Sequence, residues 1–418
     1  MSFRVALTIL LLLMMPGGFL TGTLASYGYL RLASMIPVAM AMFLVISMAF
    51  AYFRLHKISF TRLQVYFLLF YLVYHAYTFY YILIAPEMPR FVMADVPPTT
   101  SLLYRDFFIQ TVAVLLVGFF RKYIDFKLFA RVTSITVAIL FFFYYSQVGF
   151  ASYGIEDIAD IKLLSGEIFI VSFRLARYFA LAFFCCIACR SSWFKLKFLN
   201  LTLTYVLSAI LFIGLILTVK RGPILSIFVT FIYWYIIKSK AKHVLRSFLL
   251  SVLLILFFGN MFADFVETYM AGLAERIEMT IEGGGSGRFG SSKGVFNVAR
   301  KQIEDGVFFG SYFRLKNAFW FGTYPHNFIL EMLMTFGVVI SAVFIPLFWK
   351  IFKYINVLIK QNSSITLSAT CFLYIFCALM TSGSVFLNTE FWIFLSIICS
   401  YRMTYRKKRL KFKRNINE

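Results

Sequence analysis

Long apolar runs separated by short polar connections recur from one end of the chain to the other. Each is long enough to cross a hydrocarbon core of roughly 30 Å as an α-helix. The pattern predicts about twelve spans, at approximately 5–22, 33–53, 63–84, 104–120, 130–149, 168–189, 199–219, 222–237, 245–264, 326–349, 366–382 and 386–401. None alternates apolar and polar residues as the strands of a membrane barrel do. The expected fold is an all-α polytopic membrane protein, with residues 1–418 forming one integral membrane domain.

The connections between spans are of two kinds. "RLHKISFTR", "RKYIDFKLFAR", "RSSWFKLK", "KSKAKHVLR", "KIFKYINVLIK" and the tail at 402–418 concentrate lysine and arginine. Glu156, Asp157, Asp160, Glu167, Asp264, Glu267, Glu275, Glu278 and Glu282 fall in the alternate connections. Basic clusters are retained on the cytoplasmic side, which places both termini there and the acidic connections outside. The apolar run from Val5 to Leu20 has the look of a signal peptide, but the many spans behind it favour a retained first helix. The tail "RMTYRKKRLKFKR" suits anionic lipid headgroups at the inner face.

One connection is far longer than the others. Residues 265–325, expected outside, begin with "FVETYMAGLAERIEMTIE", where Met270, Leu273, Ile277 and Ile281 share one helical face. After the turn "GGGSGRFGSSKG", Val295, Ala299 and Ile303 are spaced for a second helix. Arg276, Arg288, Lys293, Arg300, Lys301, Arg314 and Lys316 make this loop cation-bearing. A connection of this size among short ones points to function, and its helical periodicity argues against a structureless linker.

Composition agrees with the patterning: 61% of residues are hydrophobic and 14% charged. The formal charge of +23 does not signal nucleic acid, because most of the cations sit in short loops where they set orientation. Cys185, Cys186, Cys189, Cys371, Cys377 and Cys399 all fall inside apolar segments and read as small buried hydrophobes rather than a disulfide framework. "CCIAC" has no histidine or carboxylate neighbours to complete a metal site. No metal and no cofactor is expected.

"TVKRGPILS" breaks the charge rule. Lys220 and Arg221 lie on the outer side of the predicted topology, so something other than orientation placed them there. Arg174 and Arg177, three apart in "FIVSFRLARYFA", share a face near the outer half of the sixth span. Arginine within a span is costly and marks a functional cavity by default, against the bland reading of a side chain snorkelling to headgroups. Two guanidiniums suit a diphosphate, since each planar fork takes two phosphate oxygens and stays charged at any working pH.

Of the four histidines, His56 and His243 sit in cytoplasmic basic loops, and His75 reads as a hydrogen-bonded residue inside the bundle. His326, in "GTYPHNFILEMLMTFG", stands where the long loop re-enters the membrane, just after Pro325. It either caps a helix or acts as a general base on a sugar hydroxyl, which an imidazole titrating near neutrality does well. "GSGRFG" at 285–290 formally matches a dinucleotide-binding loop but follows no strand and belongs to no βαβ unit. With no phosphate loop elsewhere, a substrate at this outer face must arrive already activated.

"TVKRGPIL", "SGRFG…VARKQIEDGVFFG" and "YPHNFILEMLMTFGVVI" occur in the order seen in the O-antigen polymerase and O-antigen ligase superfamily, which this chain resembles over roughly 170–350. The resemblance is carried by Arg221, Gly222 and Leu225 at the corner, Gly287 and Arg288 in the loop, and His326 and Asn327 followed by Glu331 and Gly337. Lys220 departs from it, replacing the small polar residue common before the arginine. The resemblance implies a metal-independent glycosyltransferase of the GT-C type, acting at the periplasmic face of the bacterial inner membrane on an undecaprenyl-diphosphate-linked oligosaccharide. In that reading Arg221 and Arg288, with Arg174 or Arg177, hold the diphosphate, and His326 deprotonates the acceptor with inversion at the anomeric centre. Lys220, Arg300, Tyr324 and Asn327 contribute to substrate binding. Membrane lipid, a chain-length regulator and a flippase are the further partners implied. "PHNFILE" and the Phe- and Tyr-rich bundle look more like a polymerase than a ligase. A transporter of the same lipid-linked sugars is the competing class, though no internal repeat is visible.

Overall fold

The structure, a computed structural model, describes residues 60–84, 100–148, 161–162, 168–170, 172–189, 197–218, 221–239, 290–309, 327–361, 365–381, 385 and 388–401, with Thr8, Leu12, Met35, Ala39, Met42, Phe43 and Ile46. The expected spans 5–22, 33–53 and 245–264 and the first loop helix lie outside the described residues. The described chain is helical apart from one short strand pair. Its helices are α1 (Arg62–Ile84), α2 (Thr100–Phe120), α3 (Phe126–Val148), α4 (Ser172–Ala188), α5 (Lys197–Leu217), α6 (Arg221–Lys238), α7 (Gly290–Glu304), α8 (Phe328–Gln361), α9 (Thr366–Leu379) and α10 (Thr389–Ser400).

Each apolar run among the described residues is a helix, because a helix satisfies its own backbone donors and acceptors. The sixth run differs at its start. Ile168–Ile170 is a strand, antiparallel to Ile161–Lys162, and the helix begins only at Ser172. Isoleucine and phenylalanine at these positions favour the pleated geometry once a partner strand is at hand.

Among the described residues, two helices are long and apolar enough to cross a membrane, Phe198–Leu217 and Phe328–Gln361. Their outward faces are apolar too. Val65, Leu69 and Leu72 on α1, Leu225, Phe228 and Ile232 on α6, and Val343, Ile345 and Trp349 on α8 are all exposed. On the inner face of α1, Phe67, Phe70, Tyr71 and Tyr74 are buried at the three- and four-residue spacing of a helix.

The run expected as one span at 326–349 does not pass straight through. Gly337 has φ 76° and ψ 175°, a conformation open essentially only to glycine. Here α8 turns back on itself. Phe328 packs on Phe348 with ring centroids 5.2 Å apart, Phe336 on Phe344 at 5.6 Å, and the Ser341 hydroxyl donates to the Met332 carbonyl at 3.0 Å. Residues 328–336 form a short arm antiparallel to the long segment 338–361. Backbone groups freed by the reversal find partners in α7 and the segment that follows it: the Gln302 amide donates to the Leu333 carbonyl at 2.6 Å, and the Val339 N–H to the Phe308 carbonyl at 3.2 Å.

That contact also sets the buried face of α7. Val298 and Gln302 are inside, whereas Ile303, expected on the apolar seam, is exposed with Phe296. The polar demand at the α8 reversal turned the helix toward Gln302.

The long segment of α8 and α1 run antiparallel: Phe70 meets Phe344 and Phe348 at 4.7 and 5.4 Å, and Tyr77 meets Phe336 at 5.5 Å. Against them lies the shorter hairpin of α9 and α10, of 14 and 12 residues. The Thr366 hydroxyl donates to the Leu358 carbonyl at 3.0 Å, and that of Thr61 to the Cys399 carbonyl at 2.6 Å, fixing the hairpin at the Gln361 end of the bundle. At 1.5 Å per residue α9 and α10 rise only about 21 and 18 Å. They stop well short of the Gly337 end.

Candidate active site

The place where α9 and α10 stop is polar. Asn327 caps α8, its side-chain oxygen accepting from the Leu330 N–H at 3.1 Å while its amide donates to the Met380 carbonyl at 2.9 Å. Asn388 caps α10 by accepting from the Phe391 N–H at 3.0 Å. Two helix N-termini therefore begin side by side inside the bundle, next to the C-terminal end of α9. Phe348, which packs on Phe328, is eleven residues from Gly337, so this junction lies about 16 Å below the reversal.

Glu331, in the first turn of α8, is 1% exposed. Its carboxylate accepts from the Tyr74 hydroxyl at 2.8 Å and the Val385 N–H at 2.9 Å. A negative charge one turn inside a helix N-terminus is favoured by the helix dipole. Val385 is held from its other side as well, the Trp392 indole donating to its carbonyl at 3.0 Å.

Arg177 on α4 faces Glu390 on α10 at 3.9 Å, with both side chains more than nine-tenths buried. Tyr374 on α9 lies within electrostatic reach of both. The Tyr374 hydroxyl and the Asn388 amide nitrogen, each buried, have no hydrogen-bond partner among the described residues. Buried donors are nearly always met, so this junction suits water or the oxygens of a substrate. His75 borders the cluster, joined to the Tyr71 carbonyl through Nδ1 at 2.8 Å and to Gln110 through Nε2 at 2.9 Å. It is the hydrogen-bonded bundle histidine that its sequence position predicts.

Arg221 is the first residue of α6, and the neighbouring helices fix which end that is. Helix α5 runs antiparallel to α4: Phe183 meets Phe212 at 5.8 Å, and the Cys186 thiol donates to the Thr204 carbonyl at 3.5 Å. At Gly214 a Cβ would fall 2.7 Å from the Phe179 ring, so only glycine allows this approach. The C-terminal end of α5 thus lies beside the N-terminal end of α4, and α6 starts a few residues later. Phe231 of α6 packs on Phe184 of α4 at 5.4 Å. Counting back at 1.5 Å per residue, Arg221 stands about 15 Å above that contact and Arg177 about 10 Å. Their backbones occupy the same end of the bundle, Arg221 farther out by about 5 Å.

Arg174 lies on α4 one turn toward its start. Arg300, on exposed α7, is engaged by Glu304 at 2.6 Å, whose carboxylate pushes its already high pKa further up. His326, Arg288, Lys220 and Tyr324 lie outside the described residues. The structure brings together Arg177 and Asn327 from the predicted set and adds Glu331, Glu390, Tyr374, Tyr74 and Asn388. Glu390 had a sequence signal, being the sole acidic residue in its apolar span. Among the described residues no three His, Cys, Asp or Glu side chains are placed to share a metal ion.

No protein-family model, no curated protein and no solved structure matches this chain.

Proposed function

We propose that the protein is a multi-pass glycosyltransferase of the bacterial inner membrane, of GT-C type with about twelve spans and both termini cytoplasmic. It joins undecaprenyl-diphosphate-linked oligosaccharide repeats at the periplasmic face, as an O-antigen or related surface-polysaccharide polymerase. The observation that carries the reading is the buried meeting of Arg177 and Glu390 beside two helix N-termini, at the end of the bundle where α6 begins with Arg221. Helix N-termini and guanidiniums both favour a polyanion, and apolar outward faces suit a bilayer.

In this mechanism Arg221 and Arg288 hold the diphosphate and stabilise the charge that builds on it as the glycosidic bond breaks. Arg177 supports them from the floor of the site, where Glu390 keeps its charge compensated before substrate arrives. His326, bonded to the capping residue Asn327, removes the proton from the acceptor hydroxyl. The acceptor oxygen attacks opposite the leaving diphosphate, which inverts the anomeric centre.

A genetic deletion tests the reading through which product goes missing. Loss of a polymerase leaves single repeats on the core, whereas loss of a ligase strands long chains on undecaprenyl diphosphate. The first pattern is expected; the second assigns the protein to the ligase branch. A transporter of the same lipid-linked sugars is the second reading, favoured by the reversal at Gly337 and the short α9–α10 hairpin, since discontinuous helices form substrate sites in transporters. Purified protein in nanodiscs, where both faces are accessible, separates the two: only a transferase forms longer chains there.

A further inference from the structure

The two long edges of α7 differ in chemistry. Val298 and Gln302 are buried and mark the face turned to α8. At about 100° per residue, Ala299, Ile303 and Phe296 fall along one side of that face. Lys301, Asn297 and Glu304 fall along the other side, with Arg300 opposite α8. The first edge is apolar, yet Ile303 is 57% and Phe296 76% exposed. The second is polar and balances its own charges: Arg300 pairs with Glu304 at 2.6 Å, and Lys301 with Asp305 at 3.5 Å.

The exposed apolar surface continues past the end of the helix. Gly306, at φ 66°, closes α7 in a turn. Here the Val307 N–H donates to the Gln302 carbonyl at 2.8 Å and the Gly306 N–H to the Ile303 carbonyl at 3.3 Å. The turn brings Phe308 and Phe309, both exposed, to α8, where the Val339 N–H meets the Phe308 carbonyl. Val339 and Val343, one turn apart on α8, are exposed as well. Apolar surface thus passes from the outward face of α8 through Phe308 and Phe309 toward α7. Leu333 and Val339, which α7 and its turn hold, flank Gly337, so the helix is fixed at the level of the reversal.

We propose that α7 is an interfacial helix lying along the outer surface of the membrane, an inference that rests on the multi-pass membrane reading. Phe296 and Ile303 enter the lipid, while Asn297, Lys301 and Glu304 stay in water. A bilayer surface is the occupant that meets both edges at once, because hydrocarbon and water lie side by side there. With Arg300 and Lys301 each paired within the helix, apolar insertion rather than headgroup charge holds it. The attachment also steadies the reversal through Gln302 and Phe308, and with it the arm that carries Asn327 and Glu331.

The test uses full-length protein in phosphatidylcholine nanodiscs, with p-benzoylphenylalanine replacing Phe296, Ile303, Asn297, Lys301 or Ile345 one at a time. Adducts formed on irradiation are read by mass spectrometry, which needs no enzymatic activity. Ile345, on the outward face of α8, reports whether that face meets lipid at all. Lipid adducts are expected at 345, 296 and 303, and at roughly tenfold lower yield at 297 and 301. Replacing part of the lipid with phosphatidylglycerol should leave these yields unchanged. Adducts at 345 but none at 296 and 303, or equal yields on both edges of α7, would overturn the interfacial helix and leave the membrane reading intact. Crosslinks from 296 and 303 to a second copy of the chain would assign that edge to self-association and overturn it too. Yields that rise severalfold with the anionic lipid would overturn attachment by apolar insertion. No lipid adduct at 345 would overturn both the helix assignment and the membrane reading.

Discussion

The Glu331 carboxylate accepts a hydrogen bond from the Val385 backbone N–H at 2.9 Å, tying the first turn of α8 to the connection between α9 and α10. Tyr74 of α1 holds the same carboxylate at 2.8 Å, so one side chain joins three parts of the bundle. Glu331→Leu leaves both donors buried and unmet, at about 1–3 kcal/mol each. Glu331→Gln keeps one acceptor oxygen and should cost less. Thermal unfolding in nanodiscs should rank wild type above Gln above Leu; a Leu variant as stable as wild type would show that the clamp does not hold the junction.

Arg177 and Glu390 separate stability from function. Removing either alone leaves a buried charge uncompensated and should destabilise by about 3–5 kcal/mol. The double substitution Arg177→Met, Glu390→Leu should recover most of that loss yet remain unable to extend chains. Recovery of activity together with stability would make the pair purely architectural.

Gly337→Ala places a side chain at φ 76°, ψ 175°, which should cost on the order of 1–3 kcal/mol. The strain falls on the arm that carries Asn327. Turnover should therefore drop more than the melting temperature implies, which comparing the two at a temperature where the variant is still folded will reveal.

Arg221→Lys should be nearly as damaging as Arg221→Ala, because lysine keeps the charge but loses the two-pronged geometry. An active lysine variant in a chain-extension assay would reduce the corner to general electrostatics.

His326→Ala should lose roughly 10²–10⁴-fold in turnover with normal abundance in membranes. Protein that is instead absent or proteolysed would point to helix capping. Turnover equal to wild type would remove His326 from the mechanism.

Most helix positions were legible because an apolar run of sufficient length has few other ways to satisfy its backbone. The expected 63–84, 199–219 and 222–237 agree with α1, α5 and α6 to within two residues. Hydropathy cannot tell a straight crossing from an arm that turns back, because both are continuously apolar, and so 326–349 read as one span. The cue was Gly337 in its middle, a residue whose φ no side chain would permit. The α7 face was misjudged for a related reason. Periodicity registers apolar residues, and what turned this helix was the hydrogen-bonding need of the Leu333 carbonyl, which Gln302 meets. At the site, Arg177 was visible as an arginine in an apolar run, but its partner Glu390 lies more than two hundred residues away and only folding joins them.

The shortness of α10 has an electrical consequence. In a bilayer, the junction at Asn388 leaves a partition of only about 18 Å between itself and the opposite surface, little more than half the usual core. Once water reaches the junction, the transmembrane voltage falls mostly across that thinner partition. A phosphate moving down to Arg177 then crosses part of the membrane field, and a full crossing is worth about 2.3 kcal/mol per charge for each 100 mV. In the glycosyltransferase proposed above, binding at this depth would thereby be coupled to the energised state of the membrane, whereas capture at the Arg221 corner, farther out, would feel that field less.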